Sequence, residues 1–343
     1  MSESNRGRIF VTGINGHIGN HIVKDLLEHG YTVRGSVRDL HDETKTALVK
    51  AHAARLKCPE RLEIVEADVL TTERWDEFFD ECIGVFHTAT VYSTKGKADV
   101  IVNTAITGTR HVLESAARAG IPRVVYTSSA AAIGSLPKGE PKTEAHWQTD
   151  STLPYTKAKH ESEVLAWDIA KEHGLDLRVI NPTAVLGGSF YKPTPSVDYF
   201  DDLLKGKLPL VPQFPMAFVH VRDVAKAHRL AFEIDEAEGR FLLAPHHSLN
   251  LHELAKQLAK LYPNHKVPTR RLPNWMVPMA VFQDWFLGLL GSERRLTRKV
   301  ATSLRSGDAI YDSSKAQRVL GIEWEDFDTC LIDTAEAILL ASS

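Results

Sequence analysis

The sequence contains few cysteines, no excess of one charge and no regular pattern of metal ligands. Cys58, Cys82 and Cys330 are odd in number and far apart, which predicts reduced packing cysteines rather than a disulfide or zinc framework. The 16 histidines do not fall at metal-ligand spacings, so we expect no metal site. A formal net charge of -3 gives no electrostatic footprint for binding a nucleic acid.

The sequence also lacks a long hydrophobic run. The first eight residues are polar, and the apolar run at residues 9–11 is far too short for a signal-peptide core. Residues 275–290 are apolar but are interrupted by Pro278, Gln283 and Asp284, so they cannot cross a bilayer. We therefore expect a cytoplasmic protein, in which residues 275–290 form a lid, a core helix or a membrane-surface helix.

The first half of the chain alternates between short runs rich in valine and isoleucine and longer helical stretches. This rhythm predicts parallel strands joined by helices, and therefore an α/β protein with a doubly wound parallel sheet. With 343 residues, 43% of them hydrophobic, the chain can bury a large core. The predicted strands are 8–11, 31–37, 62–66, 83–88, 123–128 and 175–180, and the predicted helices are 16–28, 100–119 and 154–173.

A glycine-rich turn, TGINGHIG at residues 12–19, joins the first predicted strand to the first predicted helix. Glycines allow a tight turn, a close approach of backbone to a pyrophosphate, and packing of helix on strand, and the helix N-terminus receives the anion. The glycine spacing differs from the common dinucleotide fingerprint, so a turn without a ligand is the alternative. Its position nevertheless predicts a Rossmann-type dinucleotide site formed by Gly13, Asn15, Gly16, His17, Ile18 and Gly19.

The end of the second predicted strand indicates which dinucleotide is bound. An enzyme that uses NAD places an acid there for the ribose 2′-hydroxyl, whereas this chain has Arg38 followed by Asp39. The planar guanidinium of Arg38 matches a 2′-phosphate, and Lys45 could add a second positive charge. The sequence therefore predicts NADP(H), unless Asp39 turns inward and favours NAD.

Tyr155 and Lys159 are four residues apart on a predicted helix, so they share one face. A nearby cation makes a phenol more acidic. An unperturbed tyrosine titrates near pH ~10, and a tenfold gain in its acidity requires about 1.4 kcal/mol of preferential phenolate stabilisation. The same spacing is also common on solvated helix faces, so the rest of the chain must support a catalytic interpretation.

Together these residues resemble the extended short-chain dehydrogenases/reductases. The chain is most similar to the dihydroflavonol reductase and cinnamoyl-CoA reductase group, and to its bacterial and fungal aldehyde and ketone reductase relatives. Residues 30–39, 181–187 and 219–225 carry this narrower likeness, which residues 311–316 and 320–324 extend almost to the end of the chain. The motifs that occur in family order are TGxxGxxG at 12–19, Asp68-Val69, Thr88-Ala89-Thr90, Thr127-Ser128-Ser129, Tyr155-x-x-x-Lys159 and Asn181-Pro182.

The resemblance implies a role for each matching position. It implies that Ser129, Tyr155 and Lys159 are catalytic, with Ser128 as the second candidate for the serine. Tyr155 and Lys159 are also implied to contact the cofactor. The further cofactor-binding positions that it implies are Asp68 and Val69 beside the adenine, Thr88, Ala89 and Thr90 along the cofactor, Thr127, and Pro182 against the nicotinamide.

The substrate pocket departs from the family pattern. His17 stands where the group often has an aromatic residue, and residues 91–97 differ from the more acidic segment expected there. We predict that the pocket is lined by Tyr92, Ser129, Ile133, Phe190 and Tyr191. Except for Ser129, each of these side chains could equally belong to the core.

Glycines and prolines interrupt the apolar runs after Asn181-Pro182, which indicates that the chain leaves the sheet there. Residues 218–221, 224–232 and 240–243 then predict a strand, a helix and a strand that return to it. We assign residues 1–185 to a dinucleotide-binding domain, to which residues 218–245 return. Residues 186–217 and 246–343 are assigned to a smaller, mainly helical substrate-binding region.

The expected activity is NADPH-dependent reduction of an aldehyde or ketone, aromatic or apolar, to an alcohol. The expected partner is this small-molecule carbonyl or alcohol, and the expected protein is a monomer or homodimer. The alternatives are a hydroxysteroid dehydrogenase, a sugar-nucleotide epimerase and a redox-sensing regulator that binds NADP without catalysis, because fold alone does not fix function.

Overall fold

A sheet of seven parallel strands forms the centre of the protein in the computed structural model, which describes residues 6–89, 98–134, 139–149, 153–190, 194–213, 215–279, 281–282, 285 and 310–342. The strands of this sheet are β1 (Arg8–Thr12), β2 (Thr32–Val37), β3 (Leu62–Glu66), β4 (Cys82–His87), β5 (Arg123–Thr127), β6 (Asp176–Pro182) and, later in the chain, β9 (Gly239–Leu243). Their order across the sheet is β3-β2-β1-β4-β5-β6-β9, and every neighbouring pair is parallel.

Helices connect these strands and continue into the C-terminal part. They are α1 (His17–Glu28), α2 (Glu43–Arg55), α3 (Ala98–Arg118), α4 (Pro154–His173), α5 (Pro195–Leu204), α6 (Val221–Glu233), α7 (Leu251–Leu261), α8 (Ser314–Leu320) and α9 (Phe327–Ser342). Helix α1 packs against α6, and α3 packs against α4. The predicted α/β fold with a Rossmann-type sheet is confirmed.

Both faces of the seven-stranded sheet are covered, as a parallel sheet requires. In β1, Ile9 and Val11 belong to a hydrophobic cluster that contains buried residues of α1 and α6. Phe10, between them, belongs to a second cluster with buried residues of α3 and α4. Since successive side chains of a strand point to opposite faces, this alternation shows helices on both sides of the sheet.

Helix α4 begins and ends where local chemistry dictates. Pro154 occupies its first turn, where proline costs no hydrogen bond. Gly174 caps its C-terminus in the left-handed conformation, with φ of 67°, which glycine adopts without the steric cost that a Cβ brings. The predicted bounds of this helix, 154–173, are therefore those of the structure.

A second, three-stranded sheet lies outside the main one. It comprises β7 (Ala184–Leu186), β8 (Pro215–His220) and β10 (His246–Asn250) in the order β10-β8-β7. The pair β7-β8 is parallel and β8-β10 is antiparallel. The expectation that residues 218–221 return to the main sheet is wrong, because among the described strands β8 pairs with β7 and β10 and with none of the main sheet. The following helix α6 and strand β9 do return.

The small sheet contributes to a third hydrophobic cluster. Phe218 of β8 packs there with Phe200 of α5, Leu254 of α7 and Leu331 of α9.

In the part of the chain that the structure describes, the helices are too short or too polar to span a bilayer.

Candidate active site

A cavity of about 510 Å³ lies at the carboxyl ends of the parallel strands, next to the point where the strand order reverses between β1 and β4. Ligands of open α/β sheets bind at such a switch point. The predicted site residues that line this cavity are Gly13, Asn15, Gly16, His17, Ile18, Gly19, Arg38, Lys45, Asp68, Val69, Thr88, Ala89, Thr127, Ser129, Tyr155, Lys159 and Pro182.

The glycine turn between β1 and α1 leaves no room for side chains at two positions. Gly13 has φ of 67°, a left-handed conformation that disfavours residues with a Cβ. A Cβ on Gly19 would lie 2.4 Å from the carbonyl oxygen of Gly13. The amide of Gly16 donates to that same oxygen at 3.0 Å. The turn thus packs tightly on the start of α1, and its backbone faces the cavity.

Thr12 joins the ends of β1 and β4 beneath the cavity. Its Oγ1 accepts hydrogen bonds from the amides of Thr88 at 3.0 Å and Ala89 at 2.9 Å. The hydroxyl proton is then left for Nδ1 of His87, which lies 3.0 Å away. Burial lowers the pKa of His87 to about 3, so this imidazole stays neutral and accepts the proton of the hydroxyl.

The charges at the end of β2 are arranged around Arg38. Arg38 is exposed and lines the cavity together with Lys45. Asp39 is not a lining residue: its Oδ1 accepts from the amide of His41 at 3.0 Å, and its Oδ2 lies 3.4 Å from Nζ of Lys45. The hydrogen bond of Lys45 to Asp42 raises the pKa of the lysine, so this ammonium at the cavity rim remains charged.

The two neighbouring serines after β5 have different hydrogen bonds. Ser128 is buried and donates its hydroxyl to Oε2 of Glu163. Ser129 is half-buried, and its Oγ accepts from the amide of Ala131 at 3.2 Å. Because the hydroxyl of Ser128 is already committed, the geometry favours Ser129 as the serine that donates to a ligand.

Tyr155 and Lys159 lie in the first two turns of α4, and both line the cavity. Tyr155 is half-buried, whereas Lys159 is 3% exposed and donates from Nζ to the carbonyl oxygen of Thr127 at 3.1 Å. Burial lowers the pKa of Lys159 to about 8, against the raising effect of Glu163. The cavity therefore brings a phenol, an ammonium and the hydroxyl of Ser129 together.

The family model described as NAD dependent epimerase/dehydratase family matches residues 9–244. The chain belongs to this family. It is 37% identical to cinnamoyl-CoA reductase 1 of Arabidopsis thaliana, over 76% of this chain and 77% of that protein. It is 36% identical to cinnamoyl-CoA reductase 1 of Petunia hybrida, over 76% and 79%. The predicted membership of the extended short-chain dehydrogenases/reductases is thus confirmed, and the chain is an oxidoreductase.

The fold of this family member is also found in a solved structure. The yeast methylglyoxal/isovaleraldehyde reductase Gre2, complexed with NADPH, superposes with a TM-score of 0.78 at 22% identity, over 98% of this chain and 99% of the yeast chain. At this level of identity the likeness establishes the shared architecture.

The cavity fits a nicotinamide dinucleotide, the class of cofactor that the family description names. Its volume of about 510 Å³ falls within the range of roughly 300–1,000 Å³ for small-molecule and cofactor sites. A Cβ on Gly19 would lie 2.4 Å from the carbonyl oxygen of Gly13, so only glycine lets the turn beside the cavity pack this tightly. Arg38 and Asp68 line the cavity just after β2 and β3, Tyr155 lines it from the first turn of α4, and Pro182 lines it at the end of β6. Side chains suited to both ends of a dinucleotide therefore line one cavity.

Several lining residues were not singled out from the sequence. Thr183, Val185, Thr194 and Ser196 line the cavity, as do Ser36, Val37, Ala67 and Leu70. Thr194 is the residue before Pro195, which begins α5. A threonine followed by a proline is a recognised start of a helix, so Thr194 could have been found from that signal. Thr183 and Val185 carry no such local signal.

Of the predicted substrate-pocket residues that the structure describes, only some line the cavity. Ser129 lines the cavity, but Ile133 is 1% exposed and packs with Leu242 in a separate hydrophobic cluster. Phe190 does not line the cavity; its ring lies 5.6 Å from that of His17, edge to face. His17 therefore makes an aromatic contact at the start of α1, next to the glycine turn. Thr90, Tyr92 and Tyr191 lie outside the described residues.

Proposed function

We propose that this family member is an NADPH-dependent carbonyl reductase, which converts an aldehyde or ketone to an alcohol. The observation that carries the proposal is that Ser129, Tyr155 and Lys159 line the same cavity as the glycine turn and Arg38. The reductases among its relatives, and the NADPH complex of the yeast reductase, support the same conclusion.

Bound NADPH would supply the hydride, and the protein would control the proton and the charge. Tyr155 donates a proton to the carbonyl oxygen, and Ser129 donates a hydrogen bond to the same oxygen as negative charge develops there. Lys159, fixed by the carbonyl of Thr127, stabilises the phenolate that remains on Tyr155. Proton transfer from a positioned side chain contributes about 10²–10⁴-fold in rate.

The charges after β2 support NADP(H) rather than NAD(H). Arg38 would hold the 2′-phosphate through its planar guanidinium, with Lys45 as a second cation. Asp39 does not line the cavity, and its carboxylate accepts from the amide of His41 and pairs with Lys45, which disfavours its binding a ribose hydroxyl. Asp68 and Val69 would lie beside the adenine, and Pro182 against the nicotinamide.

An aromatic or otherwise apolar carbonyl is the substrate class that we propose. Pro182 and Val185 give the cavity apolar surface beside the polar groups of Ser129 and Tyr155. The two plant relatives are named for cinnamoyl-CoA, whose acyl group carries an aromatic ring. A small number of polar groups within an apolar wall is the usual composition of a small-molecule site.

The test is a panel of aromatic and aliphatic aldehydes and ketones, followed by the loss of NADPH absorbance with NADH in parallel. We expect consumption of NADPH, formation of the alcohol, and slower turnover with NADH. Tight NADPH binding without turnover of any carbonyl would instead indicate a redox-sensing regulator. Purified protein that retains NAD would indicate an epimerase, and oxidation of a sterol alcohol with NAD a hydroxysteroid dehydrogenase.

A further inference from the structure

Glu163 is a fully buried carboxylate on the same helix as Tyr155 and Lys159. Its Oε1 accepts from Nε of Arg240 at 2.6 Å. Its Oε2 accepts from Nδ2 of Asn181 at 2.8 Å and from the hydroxyl of Ser128. A buried charge costs free energy unless it is paired and hydrogen-bonded, and here both carboxylate oxygens have donors.

These bonds join α4 to the chain on either side of Ser129. Ser128 precedes Ser129 directly, and Nδ2 of Asn181 also donates to the carbonyl oxygen of Ser129 at 3.2 Å. The bonds from Glu163 to Ser128 and Asn181 therefore fix the backbone of Ser129 relative to the helix that carries Tyr155 and Lys159.

Arg240 extends the same network to the segment that follows the serines. Its Nη1 donates to the carbonyls of Glu144 at 2.8 Å and His146 at 2.6 Å, and its guanidinium lies 3.9 Å from the ring centroid of Trp147. In the same segment, the amide of Gln148 donates to the carbonyl of Ala132 at 2.9 Å. The turn after Ser129 is thus held from both sides.

We propose that Glu163 is a positioning residue for the reduction, which sets the distance from the hydroxyl of Ser129 to the phenol of Tyr155. The inference rests on the proposed function, since it concerns how the same site is aligned. The carboxylate acts through Ser128, Asn181 and Arg240, and it does not touch the reacting atoms. Its charge also acts on Lys159, one helical turn earlier, whose positive form it favours.

The variant Glu163→Gln tests whether Glu163 acts through its carboxylate or only through the volume of its side chain. A carboxylate accepts from Arg240, Asn181 and Ser128 at once, whereas an amide of the same shape turns its NH₂ group toward at least one of these donors. We expect kcat to fall about 10-fold to 100-fold, because small misplacements of catalytic groups are costly. KM for the carbonyl and Kd for NADPH should change little.

The pH profile supplies a readout that a merely structural role would not move. Lys159 is faced by Glu163 and Tyr155 from α4, by Tyr126 from β5 and by His87 from β4. Without the negative charge of Glu163, the ammonium should lose its proton at lower pH. The decrease of kcat/KM for NADPH at alkaline pH should therefore begin at a lower pH than in the wild type. Glu163→Asp keeps the charge, so the alkaline decrease of kcat/KM should return to the wild-type pH. Its kcat should stay reduced, because the shorter side chain does not reach the same partners.

The experiment uses the full chain, NADPH, and cinnamaldehyde or the most active carbonyl of the panel. The matched control is Glu161→Gln, the same change at a partly exposed position of α4, where Glu161 pairs with Lys157 at 3.7 Å. This control should behave as wild type. If Glu163→Gln also does so, the positioning role is overturned while the proposed function stands. A wild type inactive on every carbonyl would overturn both.

Two further variants keep the test decisive if Glu163→Gln does not fold because Arg240 is left unpaired. Glu163→Gln with Arg240→Gln removes both buried charges, and Ser128→Ala removes one bond to Glu163 and no charge. We expect both to lower kcat, and only the double variant to shift the alkaline limb. Unchanged kcat in folded Ser128→Ala, with a double variant that fails to fold or keeps wild-type kcat, would overturn the proposal.

Discussion

The Nζ atom of Lys159 lies 3.1 Å from the carbonyl oxygen of Thr127 and 5.9 Å from the ring centroid of Tyr126. Thr127 is itself held in place, because its Oγ1 lies 2.6 Å from Nε2 of His228. The other ring nitrogen, Nδ1, donates to the carbonyl of Val224 at 2.7 Å, so Nε2 accepts the proton of Thr127. The position of the ammonium is thus set by β5, and that of β5 by α6.

The first prediction concerns the pH dependence of this ammonium. Burial lowers the pKa of Lys159 to about 8, so the side chain is charged below that pH and neutral above it. Since the charge stabilises the phenolate of Tyr155, kcat/KM for NADPH should fall as the pH rises through about 8. This ratio reports groups of the free enzyme. An active Lys159→Met variant with the same alkaline limb would contradict the assignment.

Replacement of the phenol should abolish chemistry and spare cofactor binding. Tyr155→Phe removes the proton donor and keeps the ring, so turnover should fall by about 10²–10⁴-fold. The Kd for NADPH, measured by fluorescence titration, should stay near the wild-type value. Wild-type turnover in this variant would refute the role of Tyr155.

Arg38→Ala should weaken NADPH and leave NADH almost unchanged. A hydrogen bond to a charged group contributes roughly 1.5–3 kcal/mol, which corresponds to about 10-fold to 100-fold in the Kd for NADPH. Both cofactors are titrated against the variant. Arg74→Ala, which removes an exposed arginine paired with Asp76, is the control. Equal weakening of both cofactors would show that Arg38 does not recognise the 2′-phosphate.

Gly19→Ala should damage the glycine turn. The new Cβ would lie 2.4 Å from the carbonyl oxygen of Gly13, and because that atom is backbone, the turn itself must move. We expect a loss of about 1–3 kcal/mol in unfolding free energy and weaker NADPH binding. Gly174→Ala, at the end of α4 with open space around it, should lower stability through its positive φ without changing the Kd for NADPH.

Acid should destabilise the protein through its buried histidines. Burial lowers the pKa of His17 to about 4 and that of His21 to about 3, so each binds its proton more readily when unfolded. Their contribution to stability is present above pH 6.5 and is lost as the pH falls toward these values. A tenfold difference in acidity between the folded and unfolded states corresponds to about 1.4 kcal/mol. His17 alone therefore contributes at most roughly 3 kcal/mol.

Denaturant unfolding of wild type and His17→Phe between pH 4 and 7 measures this contribution. The variant should lose less stability on acidification, since one buried imidazole no longer has to bind a proton. His173→Asn, at the exposed end of α4, is the control and should follow the wild type. An unchanged pH dependence in His17→Phe would contradict the prediction.

Local patterns were enough to predict the strands of the sheet and the helix that carries Tyr155. The apolar pattern does not predict helix α2, because its apolar residues are mostly alanines and its buried positions include Thr46 and His52. The signal that could have found it is Asp42, whose side chain caps the helix by accepting from the amide of Thr44 at 3.1 Å. The hydrophobic periodicity predicts strand β8 but not the sheet to which it belongs, because periodicity does not encode the partner of a strand.

The sequence by itself determined the α/β fold and the residues with chemical capacity. Alternating hydrophobic runs, the glycine turn and the spacing of Tyr155 and Lys159 are properties of neighbouring residues. Only the tertiary structure decided that Ser128 is committed to Glu163 and that β8 leaves the main sheet. These outcomes depend on which distant donors, acceptors and strands packing brings within hydrogen-bond distance, and no local pattern specifies that.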